Sequence, residues 1–465
     1  MISWREILIN DMKRIRLNCS KGYDKNYVAR LITLTENDFE PHPRADRLKL
    51  AKVFGFRVII GIDAKPGDYI YFPVGSQISE SFLTYSSNFY ESRRNRDQSV
   101  RGTFENSGRV KAIKLRGEFS EGWICEVSIF EEWLKWMSGF SEEVEIDYGV
   151  SFFDIALLGE NRTSWICKKY IVKGETETKK TRMRGKVPGH LERRVPKDQF
   201  RFHYETEQLK YCPDVIKPES YIWITKKVDG TSGISSYTQI KRLWYEFWKP
   251  KRYYQRLYAS SSIIKSEVVN HRVGPGFYGV DIWKEADKVV SPRLDHGMTA
   301  YYEIVGYLQN GGFIQKEDDF GCVKPEPGGK FRIGQHFRVL VYRLTVTTQE
   351  GTVIEFNPRQ VKGWCDKVGL ESVKILYEGL AKDLYPNLNP AFHWSENFLT
   401  CLSKDGELGM ERLESECKNQ VPQEGIVIRV GEKAYKLKTE AHLLWKQEWI
   451  EKGVVDMEDL ENRHE

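Results

Sequence analysis

The chain has 465 residues, 40% of them hydrophobic, and this length is expected to form more than one hydrophobic core. Its 71 basic and 66 acidic residues give a net charge of only +5, which excludes a histone-like protein and leaves a local basic patch as the means of binding nucleic acid. Eight scattered cysteines without zinc or redox spacing, and no run of eighteen apolar residues, indicate a cytoplasmic protein with reduced thiols and no membrane partner.

Residues 27–165 are predicted to form a small β-barrel. Short runs alternate apolar and polar positions, as in 57–62, and turn residues separate them. Near residue 168 this periodicity gives way to a stretch rich in Lys, Arg, Thr and Gly, which is typical of a solvated linker. We therefore place a first domain at 1–167 and a basic linker at 168–200.

The remaining domain, 201–465, is predicted to be α+β, with antiparallel sheets and helices. Its strand-like runs are 221–228, 299–306, 337–346, 425–430 and 434–438. Its helical patterns are 358–383 and 405–418. No internal repeat of fixed period occurs in the sequence.

The most informative motif is Lys227-Val228-Asp229-Gly230, a lysine in a tight turn. A free lysine has a pKa of ~10.4 and must lose its proton before it can attack phosphorus. Burial, a second cation or a divalent metal would favour the neutral amine, and Lys436 and Lys438 could supply the cation. Because these two lysines alternate along a predicted strand, they face the same way and could also bind phosphate oxygens in the transition state.

Two glutamates complete the predicted site. Glu303 and Glu424 offer hard oxygen ligands for Mg²⁺ or Mn²⁺, or acceptors for ribose hydroxyls. Gly230 would let the backbone approach the ligand closely. Taken singly, each element also fits an ordinary turn, strand edge or solvated strand face, but the ordered set favours covalent nucleotidyl transfer.

The ordered motifs resemble the covalent nucleotidyltransferases, which comprise ATP-dependent DNA ligases, RNA ligases and mRNA capping enzymes. Residues 227–230 are similar to the nucleophile motif, Glu303 to the third motif, and Tyr342 to the aromatic motif. Glu424 is similar to the fourth motif, and Lys436 with Lys438 to the fifth. Within this family the chain looks like nick-sealing RNA ligases with an amino-terminal OB domain, on segments 41–48, 74–76 and 108–122.

The resemblance implies an OB domain at 1–167 and an adenylyltransferase (ATP-grasp-like ligase) domain at 201–465. It implies that Lys227 takes AMP from ATP, with Mg²⁺ or Mn²⁺, and that AMP then passes to a 5′-phosphate which the 3′-OH of another strand attacks. Asp229, Gly230, Glu303, Glu424 and the two lysines would bind the nucleotide, and Tyr342 would stack on adenine. The expected partner is a nicked RNA duplex, or an RNA 3′-OH strand on a template, bound by a monomer.

Two positions depart from the family pattern. Lys226 stands where a glutamate often reads the adenine amino group, so backbone groups, or Glu207 and Gln208, could read the base instead. Ser261 stands where an arginine usually contacts ribose or donor phosphate. Either Arg256 replaces that arginine or the contact is lost.

Two surfaces are candidates for binding nucleic acid. The first is a basic stripe on the predicted barrel, formed by Arg109, Lys111, Lys114 and Arg116. The second is 241–256, where basic and aromatic residues interleave. Its aromatic rings could stack on bases or pack as core, and the pattern slightly favours core packing.

Three other functions compete with the ligase. A capping-type guanylyltransferase and a DNA ligase would both carry a further OB domain after the fifth motif. Only 27 residues follow Lys438 in this sequence, which disfavours both. A non-catalytic nucleic-acid-binding protein would have lost one of the motif residues, and all are present.

Overall fold

The computed structural model describes residues 14–18, 25–138, 145–147, 154–157, 163–171, 194–203, 206–261, 263–265 and 281–452. These residues divide into two compact units. The first draws on Met1–Tyr170 and Glu207–Pro213, and the second on Ile171–Thr206 and Asp214–Glu465. Most of the predicted linker, residues 172–193, lies outside the described residues, so the predicted domain boundaries stay a prediction.

Among its described residues, the first unit has short strands and two α-helices. The strands are β1 (Arg14–Asn18), β2 (Arg30–Leu34), β3 (Phe39–Pro41), β4 (Leu48–Val53), β5 (Phe56–Gly61), β6 (Gly67–Phe72), β7 (Ser76–Ile78), β8 (Ala112–Leu115), β9 (Glu118–Glu121), β10 (Trp123–Glu126), β11 (Glu145–Asp147), β12 (Asp154–Leu157), β13 (Thr163–Trp165), β14 (Cys167–Lys169) and β15 (Glu207–Gln208). The helices are α1 (Glu80–Tyr85) and α2 (Val127–Ser138).

These strands pair as small sheets with the orders β11-β1-β12-β13, β10-β6-β2, β3-β4-β5, β14-β7 and β8-β9. Phe72 of β6, Phe82 of α1 and Trp133 of α2 are fully buried together in the core of the unit. Within the described residues the pairings do not close into a barrel, so the OB domain stays a prediction.

The second unit is a mixture of long antiparallel strands and helices. The strands are β16 (Tyr221–Lys227), β17 (Thr231–Lys241), β18 (Arg252–Ala259), β19 (Met298–Gly306), β20 (Phe337–Thr347), β21 (Val353–Glu355), β22 (Glu371–Ser372), β23 (Ile375–Leu380), β24 (Gly425–Val430) and β25 (Lys433–Lys438). The helices are α3 (Ile282–Val290), α4 (Pro358–Val368), α5 (Ala381–Leu384), α6 (Trp394–Lys404) and α7 (Glu440–Glu451).

Two sheets organise this unit. One has the order β18-β17-β19-β20-β21, with β22 parallel to β20, and the other contains β25-β24-β16-β23. The core of the first sheet packs its buried residues against α3 and α4. The mixed architecture with antiparallel sheets confirms the α+β prediction for this part of the chain.

The helical predictions were wrong in their extent. The helix predicted at 358–383 ends at Val368, because Gly369 adopts a left-handed φ of 69° and terminates it, and β22 and β23 follow. Residues 405–418 form turns, and the helix lies before them, at Trp394–Lys404. No helix among the described residues is long and apolar enough to cross a membrane.

Candidate active site

Three neighbouring strands bring the predicted site residues into one row. In the antiparallel pairing of β16 with β24, Lys227 lies opposite Gly425. In the pairing of β24 with β25, Gly425 lies opposite Lys438. Glu424 immediately precedes Gly425, so the ladder of backbone hydrogen bonds gathers two ammonium groups around one carboxylate.

Glu424 is bound at both of its carboxylate oxygens. Lys227 Nζ lies 2.8 Å from Oε2, and Lys438 Nζ lies 2.9 Å from Oε1. The Glu424 side chain is only 3% exposed. Burial alone would raise the pKa of this carboxyl, but Lys227 and Lys438 hold it well below its ordinary range. Glu424 is therefore a buried anion held by two cations.

The protonation state of Lys227 differs from the sequence expectation. Burial alone would lower the pKa of this lysine, but the carboxylates of Glu424, Glu303 and Asp229 outweigh burial and raise the pKa above its ordinary value. The neighbouring lysines were expected to favour a neutral amine. That expectation was wrong for this state, since Lys438 binds Glu424 and the carboxylates dominate around Lys227.

Gly425 makes the row possible. A Cβ at this position would lie 2.1 Å from the carbonyl oxygen of Leu437, and the backbone φ is +146°. A side chain is therefore excluded where β24 meets β25. Gly230 serves a similar purpose, because a Cβ there would lie 2.9 Å from the carbonyl oxygen of Ile304 on β19. The backbone of Gly230 therefore lies close to β19, whereas the sequence predicted a close approach to the ligand.

Glu303 and Tyr342 come from the adjacent sheet. Glu303 of β19 lies opposite Ser232 of β17, close enough for its charge to raise the pKa of Lys227. Tyr342 stands at an irregularity of β20, since its neighbours pair with Tyr301 and Tyr302 while Tyr342 itself is skipped. Such bulges re-aim a side chain.

The hydroxyl of Tyr342 is held by two polar groups. It lies 3.0 Å from Nδ1 of His203 and 3.3 Å from Oγ of Ser232. Burial raises the pKa of Tyr342 well above its ordinary value, so the phenol stays neutral. Stacking of this ring on adenine stays a prediction.

A group of possible metal ligands includes a residue that the sequence reading missed. Ligand atoms of Asp229, Glu424 and His442 all lie within 4.8 Å of one another. His442 is 1% exposed, and its Nε2 lies 3.6 Å from Oδ2 of Asp229. Burial lowers the pKa of His442 to about 3, so the imidazole is neutral, as metal ligation requires. The predicted pair, Glu424 and Glu303, shares Glu424 with this group.

His442 reaches the site because α7 begins directly after β25. The side chain of Thr439 accepts a hydrogen bond from the backbone N–H of His442 and caps the helix. Thr439 Oγ1 also donates to the carbonyl of Gln423, next to Glu424. The available sequence signal was the threonine cap one residue after Lys438.

Lys436 lies two residues before Lys438 on the same face of β25, opposite Val427, and is half-buried. Lys226 lies on the other face of β16 and is buried. Its ammonium group donates to Glu414 and, at 3.0 Å, to Glu416. Lys226 is thus engaged in a buried ion-pair network.

Two further predictions concern residues placed elsewhere. Arg256 donates to the backbone carbonyls of Ser291 and Leu294, so its guanidinium is already engaged, and Ser261 follows the end of β18 and is partly exposed. Glu207 and Gln208 belong to the first unit, where the N–H of Gln208 donates to Asn26. Their reading of the base stays a prediction.

The predicted basic stripe is not uniformly exposed. Arg109 is buried near the ring of Tyr170, and Lys111 pairs with Glu105 at 2.7 Å. Lys114 and Arg116 are exposed at the β8–β9 hairpin. Phosphate binding by the stripe stays a prediction, and the exposed positive charge that it needs lies at Lys114 and Arg116.

No family model matches the chain, and no curated protein matches it in sequence. Solved structures do match it. A mutant RNA ligase of Naegleria gruberi without ligand shows 15% identity and a TM-score of 0.51, covering 90% of this chain and 98% of that chain. Naegleria gruberi RNA ligase mutants with AMP and Mn, and with ATP and Mn, each show 16% identity and a TM-score of 0.50 over the same shares. The chain therefore shares the fold of these RNA ligases.

Proposed function

We propose that this protein is an ATP-dependent RNA ligase that joins 3′-OH and 5′-phosphate ends through a lysyl-AMP. The observation that carries the proposal is the row of Lys227, Glu424 and Lys438, in which the candidate nucleophile is hydrogen-bonded within a cluster of acids and cations. The shared fold and the ATP, AMP and Mn of the similar structures support this reading.

In the first step, Lys227 Nζ gives up its proton to solvent and forms a bond to the α-phosphorus of ATP, while the bond from that phosphorus to the bridging oxygen breaks and pyrophosphate leaves. The ion pair with Glu424 opposes the loss of that proton. Lys436 and Lys438, on one face of β25, would bind the phosphate oxygens as negative charge develops on them.

The residues present fit a divalent cation. Asp229 and Glu424 supply carboxylate oxygens, the ligands that Mg²⁺ and Mn²⁺ prefer, with Glu303 nearby and neutral His442 as a possible nitrogen ligand. A bound cation would offset the carboxylate charge that keeps Lys227 protonated, and the charge of the leaving pyrophosphate.

The later steps join two RNA ends. An oxygen of a 5′-phosphate attacks the phosphorus of lysyl-AMP and releases Lys227, and the 3′-OH of the other strand then attacks that 5′-phosphorus and releases AMP. Alignment of the two ends supplies much of the rate in such reactions. The substrate is an RNA nick or an RNA 3′-OH strand on a template, recognised by its A-form shape, its phosphates and its 2′-OH groups.

The test is incubation with α-labelled ATP or GTP and Mg²⁺ or Mn²⁺. We expect labelling by ATP of a protein adduct that survives alkali and is released by acid, as a phosphoramidate is. Lys227→Arg keeps a cation beside Glu424. Because its guanidinium stays protonated and cannot attack phosphorus, this variant should not be labelled. Lys433→Ala removes an exposed lysine of the same strand as Lys438 and should label normally.

Labelling by GTP alone would replace the ligase with a capping-type enzyme. Unchanged labelling of Lys227→Arg would remove Lys227 as the nucleophile. Ligation of a labelled 5′-phosphate at an RNA nick and at a DNA nick then separates an RNA ligase from a DNA ligase.

A further inference from the structure

A hairpin of the second unit displays four large aromatic rings to solvent. It joins β17 to β18, and its exposed rings are Trp244 (90% exposed), Tyr245 (49%), Phe247 (77%) and Trp248 (66%). The sequence slightly favoured packing of these rings as core, and the structure shows that this was wrong. Several large rings exposed together on one short segment mark an interaction site.

The hairpin is held in place by a buried carboxylate. Glu246 is 8% exposed, and it accepts hydrogen bonds from Arg194 at 2.9 Å and from Lys249 at 2.8 Å. It also accepts the backbone N–H of Leu243 at 2.8 Å. The side chain of Glu246 points into the protein, whereas the rings of its neighbours Tyr245 and Phe247 are exposed to solvent.

Arg242 fixes the other side of the turn. Its guanidinium donates to the carbonyl oxygens of Phe247 at 2.9 Å and Lys249 at 2.6 Å. Arg194 likewise donates to the carbonyl of Lys241 at the end of β17. The rings are therefore presented by a preorganised loop, which lowers the entropic cost of binding.

The charge of the hairpin suits a polyanion. Residues 241–252 contain five basic side chains and one acidic side chain. The acidic one is Glu246, which is buried and paired with Arg194 and Lys249. What the hairpin offers to a partner is therefore aromatic rings and positive charge, the combination that holds single-stranded nucleic acid.

The geometry of the rings favours unpaired bases. Trp244 meets Tyr245 edge-on, at an interplanar angle of 87°, and Phe247 meets Trp248 at 81°. Neither pair is stacked face to face, and the high exposure of Trp244 and Phe247 leaves ring surface accessible to a base. The bases of a duplex are already stacked on one another, whereas those of a single strand can lie on such rings.

The strand that carries the hairpin begins beside the candidate nucleophile. β17 starts at Thr231, directly after the 227–230 motif, and runs for 11 residues to the hairpin. At ~3.3 Å per residue the two ends lie roughly 33 Å apart, which is the rise of roughly ten base-stacked nucleotides at ~3.4 Å each. A polynucleotide of roughly ten or more nucleotides with its end at Lys227 is therefore long enough to reach the rings.

We propose that this hairpin binds unpaired nucleotides of the RNA substrate, with bases stacked on its aromatic rings and phosphates near its basic side chains. The inference rests on the proposed function and adds a binding element to it. Single-stranded regions beside the ends to be joined would be held there, in addition to any duplex contact elsewhere.

The test measures binding by fluorescence anisotropy of a labelled single-stranded RNA long enough to span β17, and of the same strand annealed to its complement. We expect the double variant Trp244→Ala/Trp248→Ala to weaken single-strand binding at least about tenfold and to leave duplex binding unchanged. Phe392→Ala removes a ring that is 64% exposed elsewhere in the second unit and should bind both RNAs as the wild type does. Lys251→Ala should lower the salt dependence of single-strand binding by about one counterion.

Labelling by ATP does not need RNA, so the double variant should form its nucleotide adduct normally. That separates the two proposals: failure of wild-type labelling rejects the ligase, whereas normal labelling with unchanged single-strand affinity in the double variant rejects the hairpin site. Two other results reject it as well. If the double variant keeps its RNA affinity but no longer binds phosphatidylserine vesicles, the rings bind a membrane surface. If it keeps its RNA affinity but no longer self-associates, the rings bind a second copy of the chain.

Discussion

Lys227 and Glu424 form a hydrogen-bonded ion pair of 2.8 Å that joins the end of β16 to the residue before β24. The pair keeps the candidate nucleophile protonated in the free protein and holds it in place for reaction. Activation must therefore come with the ligands, since the resting arrangement of side chains opposes it.

Replacing Glu424 should release the proton of Lys227. In Glu424→Gln we expect the pKa of Lys227 to fall, because the largest charge that opposes burial is gone. An NMR titration of the lysine signals measures this, and acylation of Lys227 near neutral pH should become several-fold faster. Glu416→Gln, whose carboxylate contacts Lys226, should leave the titration of Lys227 unaltered. An unchanged pKa in Glu424→Gln would show that another group controls the proton.

Gly425→Ala should disrupt the row of site residues. The added methyl would lie 2.1 Å from the Leu437 carbonyl oxygen, so β24 and β25 must separate, at a cost of about 2–4 kcal/mol. We expect a lower melting temperature together with loss of labelling by ATP. Gly363→Ala, in α4 with no atom within 4 Å of the new methyl, should be neutral or stabilising by up to about 1 kcal/mol. Equal melting of the two variants would contradict the close approach.

Lys226→Met tests whether Lys226 is structural. Loss of its ammonium leaves the buried carboxylate of Glu414 without that partner, which should destabilise the fold by about 3–5 kcal/mol. Adding Glu414→Gln should restore much of the stability, as urea unfolding would show. The folded fraction of either variant should keep its preference for ATP over GTP. A changed preference at unchanged stability would instead assign Lys226 to base reading.

Asp287 should make stability depend on pH. Burial raises its pKa to about 6, from 3.8 in an unfolded chain, with a hydrogen bond from Ser235 opposing the shift. Between pH 3.8 and about 6 the folded state therefore binds one proton more than the unfolded chain, so the free energy of unfolding falls as the pH rises through about 6. Asp287→Asn should raise the melting temperature at pH 7.5, because it adds at most about 2–3 kcal/mol to the free energy of unfolding. Near pH 4 it should have little effect.

The matched control for that experiment is Glu285→Gln, two residues earlier on the same helix, where the carboxylate is partly exposed and pairs with Lys288. It should change stability by less than about 0.5 kcal/mol at both pH values. A difference between Asp287→Asn and wild type that does not vary with pH would assign the effect to packing.

The sequence predicted the strands of the second unit well, because buried strands carry their own periodicity. Lys436 and Lys438 were placed on one face by alternation alone, and the register with Gly425 then set Lys438 beside Glu424. Helix ends were less predictable. The apolar spacing continued past Val368, although Gly369 was the signal that the helix stops there.

Other features depended on contacts between distant residues. Whether the rings near Trp244 were core or surface was decided by Glu246 and Arg194, which are 52 residues apart in sequence. His442 approaches Asp229 only because β25 and α7 bring the end of the chain back to the nucleophile motif. Local composition carries neither fact.

The two consecutive lysines of β16 make its alignment ambiguous, since a slip by one position could still offer an amine to Glu424. Their opposite faces resolve the ambiguity. If Lys226 moved into the place of Lys227, Thr225 would face Glu414, and if Lys227 moved inward, Val228 would face Glu424. The first misaligned state leaves the buried Glu414 facing an uncharged threonine, and the second removes one of the two cations that bind Glu424. Both acids therefore favour the observed register of β16.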